Sequence, residues 1–212
     1  MKKINKKTLV LTSVIILLPV MIGIFLWSKL PETIPTHFGL DGTPDGWSSK
    51  AFAVFGIPFL MLGLHLLCLF GTAQDPKYDN ISEKIYALVV WICPVVSLLV
   101  MISCYGSALG WEMNITRYIM MGMGIIVMVM GNYLPKCRQN YTMGYKLPWT
   151  LDDEENWNKT HRLAGFLMVA GGILIIINAF LQWVWLFFVI IMAEILVPTV
   201  YSFLYYKKNK KI

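Results

Sequence analysis

Six long apolar runs dominate the chain, over residues 8–28, 51–71, 85–108, 118–134, 163–181 and 184–206. A helix needs roughly 20 apolar residues, rising about 1.5 Å each, to cross the hydrocarbon of a bilayer. Every run reaches or approaches that length. The fourth is the shortest, and the fifth and sixth are joined by a very tight link. This pattern predicts an all-α polytopic membrane protein of about six transmembrane helices. Composition agrees: 57% of the 212 residues are apolar and only 14% are charged, against about 25% charged in a soluble globule.

The polar positions fall at the ends and in the connectors, and their charge sets an expected orientation. Lys and Arg number four in the N-terminal tail (Lys2, Lys3, Lys6, Lys7), two in the second connector (Lys77, Lys84), five in the fourth (Lys136, Arg138, Lys146, Lys159, Arg162) and four in the C-terminal tail (Lys207, Lys208, Lys210, Lys211). The opposite side holds Lys29, Lys50 and Arg117. By the positive-inside rule both termini should be cytoplasmic. The net charge of +6 then reflects this bias and contact with anionic membrane lipid, and requires no direct nucleic-acid partner. The first run follows a basic tail as a secretory signal would, but it lacks a small-x-small cleavage site and reads as a retained anchor.

Three sections follow from this pattern. Residues 1–71 form an N-terminal two-helix unit with an ordered outer loop at 29–50. Residues 72–117 hold the third span and its connectors. Residues 118–212 form a C-terminal region with a cytoplasmic segment at 135–162. In the outer loop, Asp41-Gly42 and Asp45-Gly46 flank Pro44, which predicts successive tight turns, because Asp caps its own turn and Gly accepts positive φ. Pro31 and Pro35 extend the chain leaving the first span, and Phe38 and Trp47 supply an aromatic rim. His37, Asp41 and Asp45 carry cation-ligand chemistry, yet both acids sit where turns want them. Turn formation and interface anchoring are therefore the reading, and no metal or cofactor is expected. The cysteines (68, 93, 104 and 137) form no Cys-x-x-Cys pair and read as small apolar residues.

Inside the spans, Gly124 and Gly131 lie one heptad apart, as do Gly56 and Gly63, a spacing that lets helices approach closely. Pro19, Pro58, Pro94 and Pro198 should kink or hinge their helices. Glu194 lies near the middle of the sixth span, where a charge costs about 3 kcal/mol even on a lenient insertion scale. It should be neutral or paired, with His65 and Asn178 as the polar side chains available to it.

The densest polar chemistry lies in the segment 140–165. Thr150 is a good N-cap and Asp153 sits where a reciprocal cap belongs. Asp152, Asp153, Glu154 and Glu155 fill the first turn favourably for the helix dipole, and Lys159 follows Glu155 by four. The expectation is a helix running unbroken from Thr150 into the fifth span, with Trp157, Thr160, His161 and Ala164 on one face. Pro148 and Trp149 set the approach to it. An interfacial belt explains the aromatic and basic residues; it does not explain so many specific polar side chains in one connector. Enzyme signatures are missing: there is no phosphate-binding glycine loop, no His-Glu-x-x-His and no Gly-x-Ser-x-Gly. Glu154-Glu155-x-x-x-Lys159 is similar to part of the motif of the CAAX-type intramembrane proteases, but Lys stands for Arg and no Phe-x-x-x-His follows.

Gly131-Asn-Tyr-Leu-Pro, Asn140-Tyr-x-x-Gly144, Pro148-Trp-Thr-Leu151, Trp157, Thr160-His-Arg162 and Ala164-Gly165 together resemble the signature of the SdpI family of bacterial immunity proteins. The outer loop Leu30-Pro-Glu-Thr-Ile-Pro-Thr-His-Phe38, with Gly42-x-Pro-Asp-Gly46, resembles the uncharacterised domain that commonly precedes it. The resemblance implies a six-span protein that protects its host from a secreted toxin. In the best-known member it also implies a receptor that holds a cytoplasmic autorepressor at the membrane. Carried over to this chain, it suggests a partner-binding set of Asn140, Gly144, Lys146, Pro148, Trp149, Thr150, Trp157, Thr160, His161 and Arg162. It also suggests a toxin-facing set of Pro35, His37, Phe38, Gly42, Asp45, Gly46 and Trp47. Lys146 departs from the family's usual Arg, which keeps the charge and loses the bidentate fork. The competing readings are a small proton-coupled transporter working through Glu194 and His65, and a membrane scaffold.

Overall fold

Residues 5–39, 41–112 and 114–209 are described by a computed structural model; Lys2, Lys3, Lys210 and Lys211 of the charge pattern lie outside them. Six helices have the length and hydropathy of membrane spans: Lys6–Phe25, Phe52–Ala73, Glu83–Ala108, Ile115–Lys136, Glu154–Leu181 and Val184–Asn209. They coincide with the six apolar runs to within a turn at each end, except the fifth, which begins nine residues earlier. Their outward faces are apolar, with Phe25, Leu67 and Phe166 among the most exposed side chains. Such faces are unfavourable in water and natural in lipid. The protein is a multi-pass membrane protein.

By contact the chain divides into two compact units, one comprising Met1–Ala73 and Val89–Ile119, the other Gln74–Leu88 and Met120–Ile212. The third span contributes residues to both. In the first unit, helix α1 (Lys6–Phe25) is capped by the Asn5 side chain, which accepts from the Lys7 N–H. Strands β1 (Thr33–Phe38) and β2 (Pro44–Ser49) form an antiparallel hairpin. The outer loop is thus a small sheet, an addition to the all-α expectation. A π-helical turn at Phe52–Gly56 leads into α2 (Ile57–Ala73). The wide turn stands just ahead of Pro58, whose ring cannot donate to the ladder and crowds the preceding turn.

The first unit's core is Leu30, Ile34, Ala53, Val54, Met101, Cys104 and Tyr105, and the Tyr105 hydroxyl donates to the Pro19 carbonyl at 2.9 Å. His65 is fully buried in this unit, its Nε2 3.0 Å from Thr12 Oγ1. Because Thr12 Oγ1 also lies 2.9 Å from the Thr8 carbonyl, its one proton goes there and His65 donates.

In the second unit, α4 (Ile115–Tyr133) contributes from Met120 onward and packs on α6 (Glu154–Leu181) backbone to backbone. A Cβ on Gly124 would lie 2.7 Å from the Gly172 carbonyl oxygen, and one on Gly131 2.8 Å from the Val169 nitrogen. Gly165 and Gly172 face them at the same seven-residue spacing. The seam is a small-residue crossing, with no room for a side chain larger than hydrogen.

The tight link to α7 (Val184–Asn209) turns on Gln182, in the left-handed region at φ 56°. Asn178 stitches it: its amide donates to the Trp183 carbonyl at 3.0 Å and its oxygen accepts from the Trp183 N–H at 3.2 Å. Both polar side chains predicted as partners of Glu194 are thus engaged elsewhere, His65 on Thr12 and Asn178 on Trp183. Glu194 is buried against Gly171, with Oε1 unpartnered among the described residues.

Candidate functional site

The connector between α4 and α6 is folded by its own side chains. Asn140 is fully buried. Its Oδ1 accepts from the N–H groups of Thr142 (2.9 Å) and Met143 (2.8 Å), and its amide donates to the Arg138 carbonyl (2.7 Å). This is the Asx geometry that lets one asparagine replace several backbone partners. Asp75, in the connector before α3 (Glu83–Ala108), holds the same turn from outside. Its Oδ2 accepts from the Tyr141 N–H at 2.9 Å and from the Thr142 hydroxyl at 2.6 Å. Gln139 bridges onward: its amide donates to the Thr150 and Leu151 carbonyls at 2.9 and 2.6 Å, and its oxygen accepts from Lys77.

The helix expected to run unbroken from Thr150 is interrupted. A short helix α5 (Pro148–Asp152) ends at Asp153, whose extended backbone (φ −129°, ψ 109°) starts α6 anew. Asp153 Oδ1 accepts from the N–H groups of Glu155 and Asn156, at 2.9 and 3.1 Å. Two capping residues three apart compete for one helix start, and the carboxylate takes it. Thr150 instead closes α5, accepting from the Leu147 N–H at 3.0 Å and donating to the Tyr145 carbonyl. The Glu155–Lys159 pair forms as expected, at 2.8 Å.

Trp157 and His161 form the centre of the lattice, both fully buried. The Trp157 Nε1–H donates to the Cys137 carbonyl at 2.7 Å. Its ring stacks on His161 with centroids 3.9 Å apart and planes 20° from parallel. His161 Nδ1 is 2.8 Å from the Trp157 carbonyl and must donate to it, while Nε2 accepts from the Tyr145 N–H at 3.1 Å. These partners fix a neutral imidazole in its Nδ1–H form. Gly144 makes the approach possible: its φ is +110°, and a Cβ there would collide with His161 Nε2. Tyr145 carries the lattice to α7 through its hydroxyl, which donates to the Glu194 carbonyl at 2.6 Å. Burial, with Glu194 adding to it, pushes the Tyr145 phenol up to about 12, so it stays a donor. Two further ties reach α7 at Ser202, from the Asn156 amide to its carbonyl (3.0 Å) and from the Trp149 indole to its hydroxyl (3.0 Å).

The partner-binding set is therefore split. Asn140, Thr150, Trp157, Thr160 and His161 are interior and build the segment. Lys146, Pro148 and Arg162 are exposed; Gly144 and Trp149 are half-buried. Asp75, Gln139, Tyr145 and Asn156 complete the lattice and were not singled out from sequence. Asp75 also accepts from the Lys77 N–H at 2.8 Å, a local turn bond that Asp before a Pro in a polar connector could have suggested.

In the hairpin of the first unit, Pro35 pairs with Trp47, His37 with Gly46 and Phe38 with Pro44, with register shifts on either side of His37. His37 Nδ1 meets Asp45 Oδ1 at 2.5 Å on an exposed face. Asp41 instead accepts from the Thr43 hydroxyl and N–H, which hold its carboxyl below the usual range. Gly42 supplies the positive φ of the turn, +81°. Trp47 projects, 57% exposed, whereas Pro35 is buried.

This architecture defines a polytopic membrane protein with a buried polar lattice at the ends of three helices. Residues 136–202, which contain most of that lattice, match the SdpI/YfhL protein family, and residues 14–62 match a domain of unknown function, DUF1648. The chain is thus similar to that family over about the last third of its length and to the second domain near its start. Over 206 residues it is 27% identical to the immunity protein SdpI of Bacillus subtilis strain 168, an alignment covering 94% of this chain and 96% of the relative. No solved structure matches.

Proposed function

We propose that this protein is a membrane immunity protein that protects its cell from a secreted antimicrobial toxin. The observation that carries the reading is the near end-to-end similarity to an immunity protein, which spans both the hairpin unit and the lattice unit. Charge supports an orientation with both termini in the cytoplasm, since the basic residues crowd one set of ends and connectors. The hairpin then faces outward, and its exposed Trp47, His37 and Asp45 make the first contact with the toxin. Exposed aromatic and short polar groups on a rigid two-stranded scaffold suit recognition of a peptide.

On the cytoplasmic side, the exposed rim of the lattice (Lys146, Pro148, Arg162, with Trp149 at its edge) recruits a soluble partner, a transcriptional repressor by analogy with the family. Deleting the gene from its host should increase sensitivity to that host's own culture supernatant, and restoring it should reverse the effect. Unchanged survival would sink the reading. Fusions reporting Lys84 and Lys146 outside would overturn the orientation while leaving immunity itself standing.

A further inference from the structure

A cavity of about 330 Å³ opens in the second unit beside Tyr145. Its walls are Ile85 and Leu88 near the start of α3, Met130 and Leu134 at the end of α4, Met168 of α6, and Met143 of the connector. We propose that this cavity is an acyl-chain site for an anionic phospholipid, with Lys146 holding the headgroup.

Four observations carry it. The lining is overwhelmingly apolar and rich in methionine, whose flexible thioethers adapt to a floppy chain. The polar lining gathers at the connector, where Lys146 Nζ donates to the Thr142 carbonyl at 3.1 Å and forms no ion pair among the described residues. An exposed ammonium without an acid partner, at the mouth of an apolar slot, is complementary to a phosphodiester. The depth also fits. Leu88 is five residues into α3 and Met168 thirteen residues short of the far end of α6. At 1.5 Å per residue these place the cavity about 8 Å below one end of the spans and about 20 Å from the other. A chain seated there leaves its headgroup at the connector, where a phospholipid headgroup belongs. The wall is also rigid, because Tyr145 is tied at both ends, by its N–H to His161 and by its hydroxyl to Glu194.

The test uses the full-length protein in nanodiscs of phosphatidylcholine containing a small fraction of phosphatidylglycerol with a photoreactive group midway along one chain. After irradiation, adducts are mapped by mass spectrometry. Labelling should concentrate on Met130, Leu134, Met143 and Met168, roughly fivefold above a phosphatidylcholine probe with the same chain, the preference one lysine near a headgroup supplies. Lys146→Gln, an exposed change, should erase the preference, and Leu88→Trp should fill the slot and remove the cavity adducts. Labelling spread over the lipid-facing helix surfaces without enrichment at the cavity would overturn the proposal, as would equal yields from the two headgroups. Displacement by excess oleate but not by excess phosphatidylglycerol would assign the slot to a free fatty acid. Displacement by an apolar secreted peptide alone would assign it to that peptide. Either result ends the phospholipid reading.

Discussion

Replacing Trp157 distinguishes a lattice from a docking surface. The indole is fully buried, stacked on His161 and bonded to the Cys137 carbonyl. Trp157→Ala empties a large site between the connector and α6, and such truncations cost about 3–5 kcal/mol. For a chain of this length each kcal/mol moves the melting temperature by roughly 2–4 °C, so a drop of roughly 6–20 °C is expected. Trp157→Phe keeps most of the ring but removes the donor, leaving a buried carbonyl short of its partner at about 1–3 kcal/mol, or roughly 2–12 °C. Arg162→Glu is the control, since Arg162 is exposed and surface changes of this kind are near neutral for folding. Fluorescence-detected size-exclusion melts in mild detergent give the three values, alongside membrane abundance and survival. The expected order is wild type and Arg162→Glu together, then Trp157→Phe, then Trp157→Ala, with protection falling in step with abundance. A Trp157→Ala protein that melts within 2 °C of wild type, is normally abundant and loses only partner recruitment would refute the buried-lattice account.

Gly144→Ala should strain a left-handed backbone and drive a methyl into His161; limited proteolysis should then cut the 134–153 connector faster while the spans stay intact. Gly172→Ala should force α4 and α6 apart at about 1–3 kcal/mol, read as a melting shift of roughly 2–12 °C; an unshifted melt would mean the glycine seam is looser than described. Gly171→Ala sets a methyl against the Glu194 carboxyl, so Glu194→Ala in the same chain should recover part of the loss, and strict additivity in that double-mutant cycle would disprove the contact. Trp47→Ala should lower protection from the toxin at unchanged abundance, measured as survival against quantified membrane protein; full protection would move the toxin site off the hairpin.

The spans were legible because a bilayer imposes one length and one polarity on any helix that crosses it, and six runs satisfy both. The heptad glycines of α4 also announced a close approach, though their partners Gly165 and Gly172 did not, since pairing across helices leaves no local signal. The α5–α6 break was misread for a specific reason. Thr150 and Asp153 are both good caps, and sequence alone does not say that Thr150 would be drawn away by Tyr145 and Leu147. The hairpin was partly visible: two Asp-Gly steps marked turns, but the alternation that signals strands is weak in a loop carrying three prolines between Pro31 and Pro44.

The hardest distinction was between a polar residue that recognises and a polar residue that builds. Asn140, Thr150, Trp157, Thr160 and His161 carry the same donors and acceptors in either role, so chemistry does not separate them; burial does. The connector beside α6 has little regular secondary structure to satisfy its backbone, and every buried N–H and C=O still needs a partner, which side chains of the connector and of α6 supply. Asn140 serves two N–H groups, Thr150 serves the Tyr145 carbonyl, Gln139 serves the Leu151 carbonyl of α5, and His161 serves the Tyr145 N–H. A family signature in such a segment is therefore first a description of how irregular backbone is kept satisfied at a helix end. Any partner must read what the lattice leaves outside, and that reduces the exposed candidates to Lys146, Pro148 and Arg162, with Trp149 half-buried beside them.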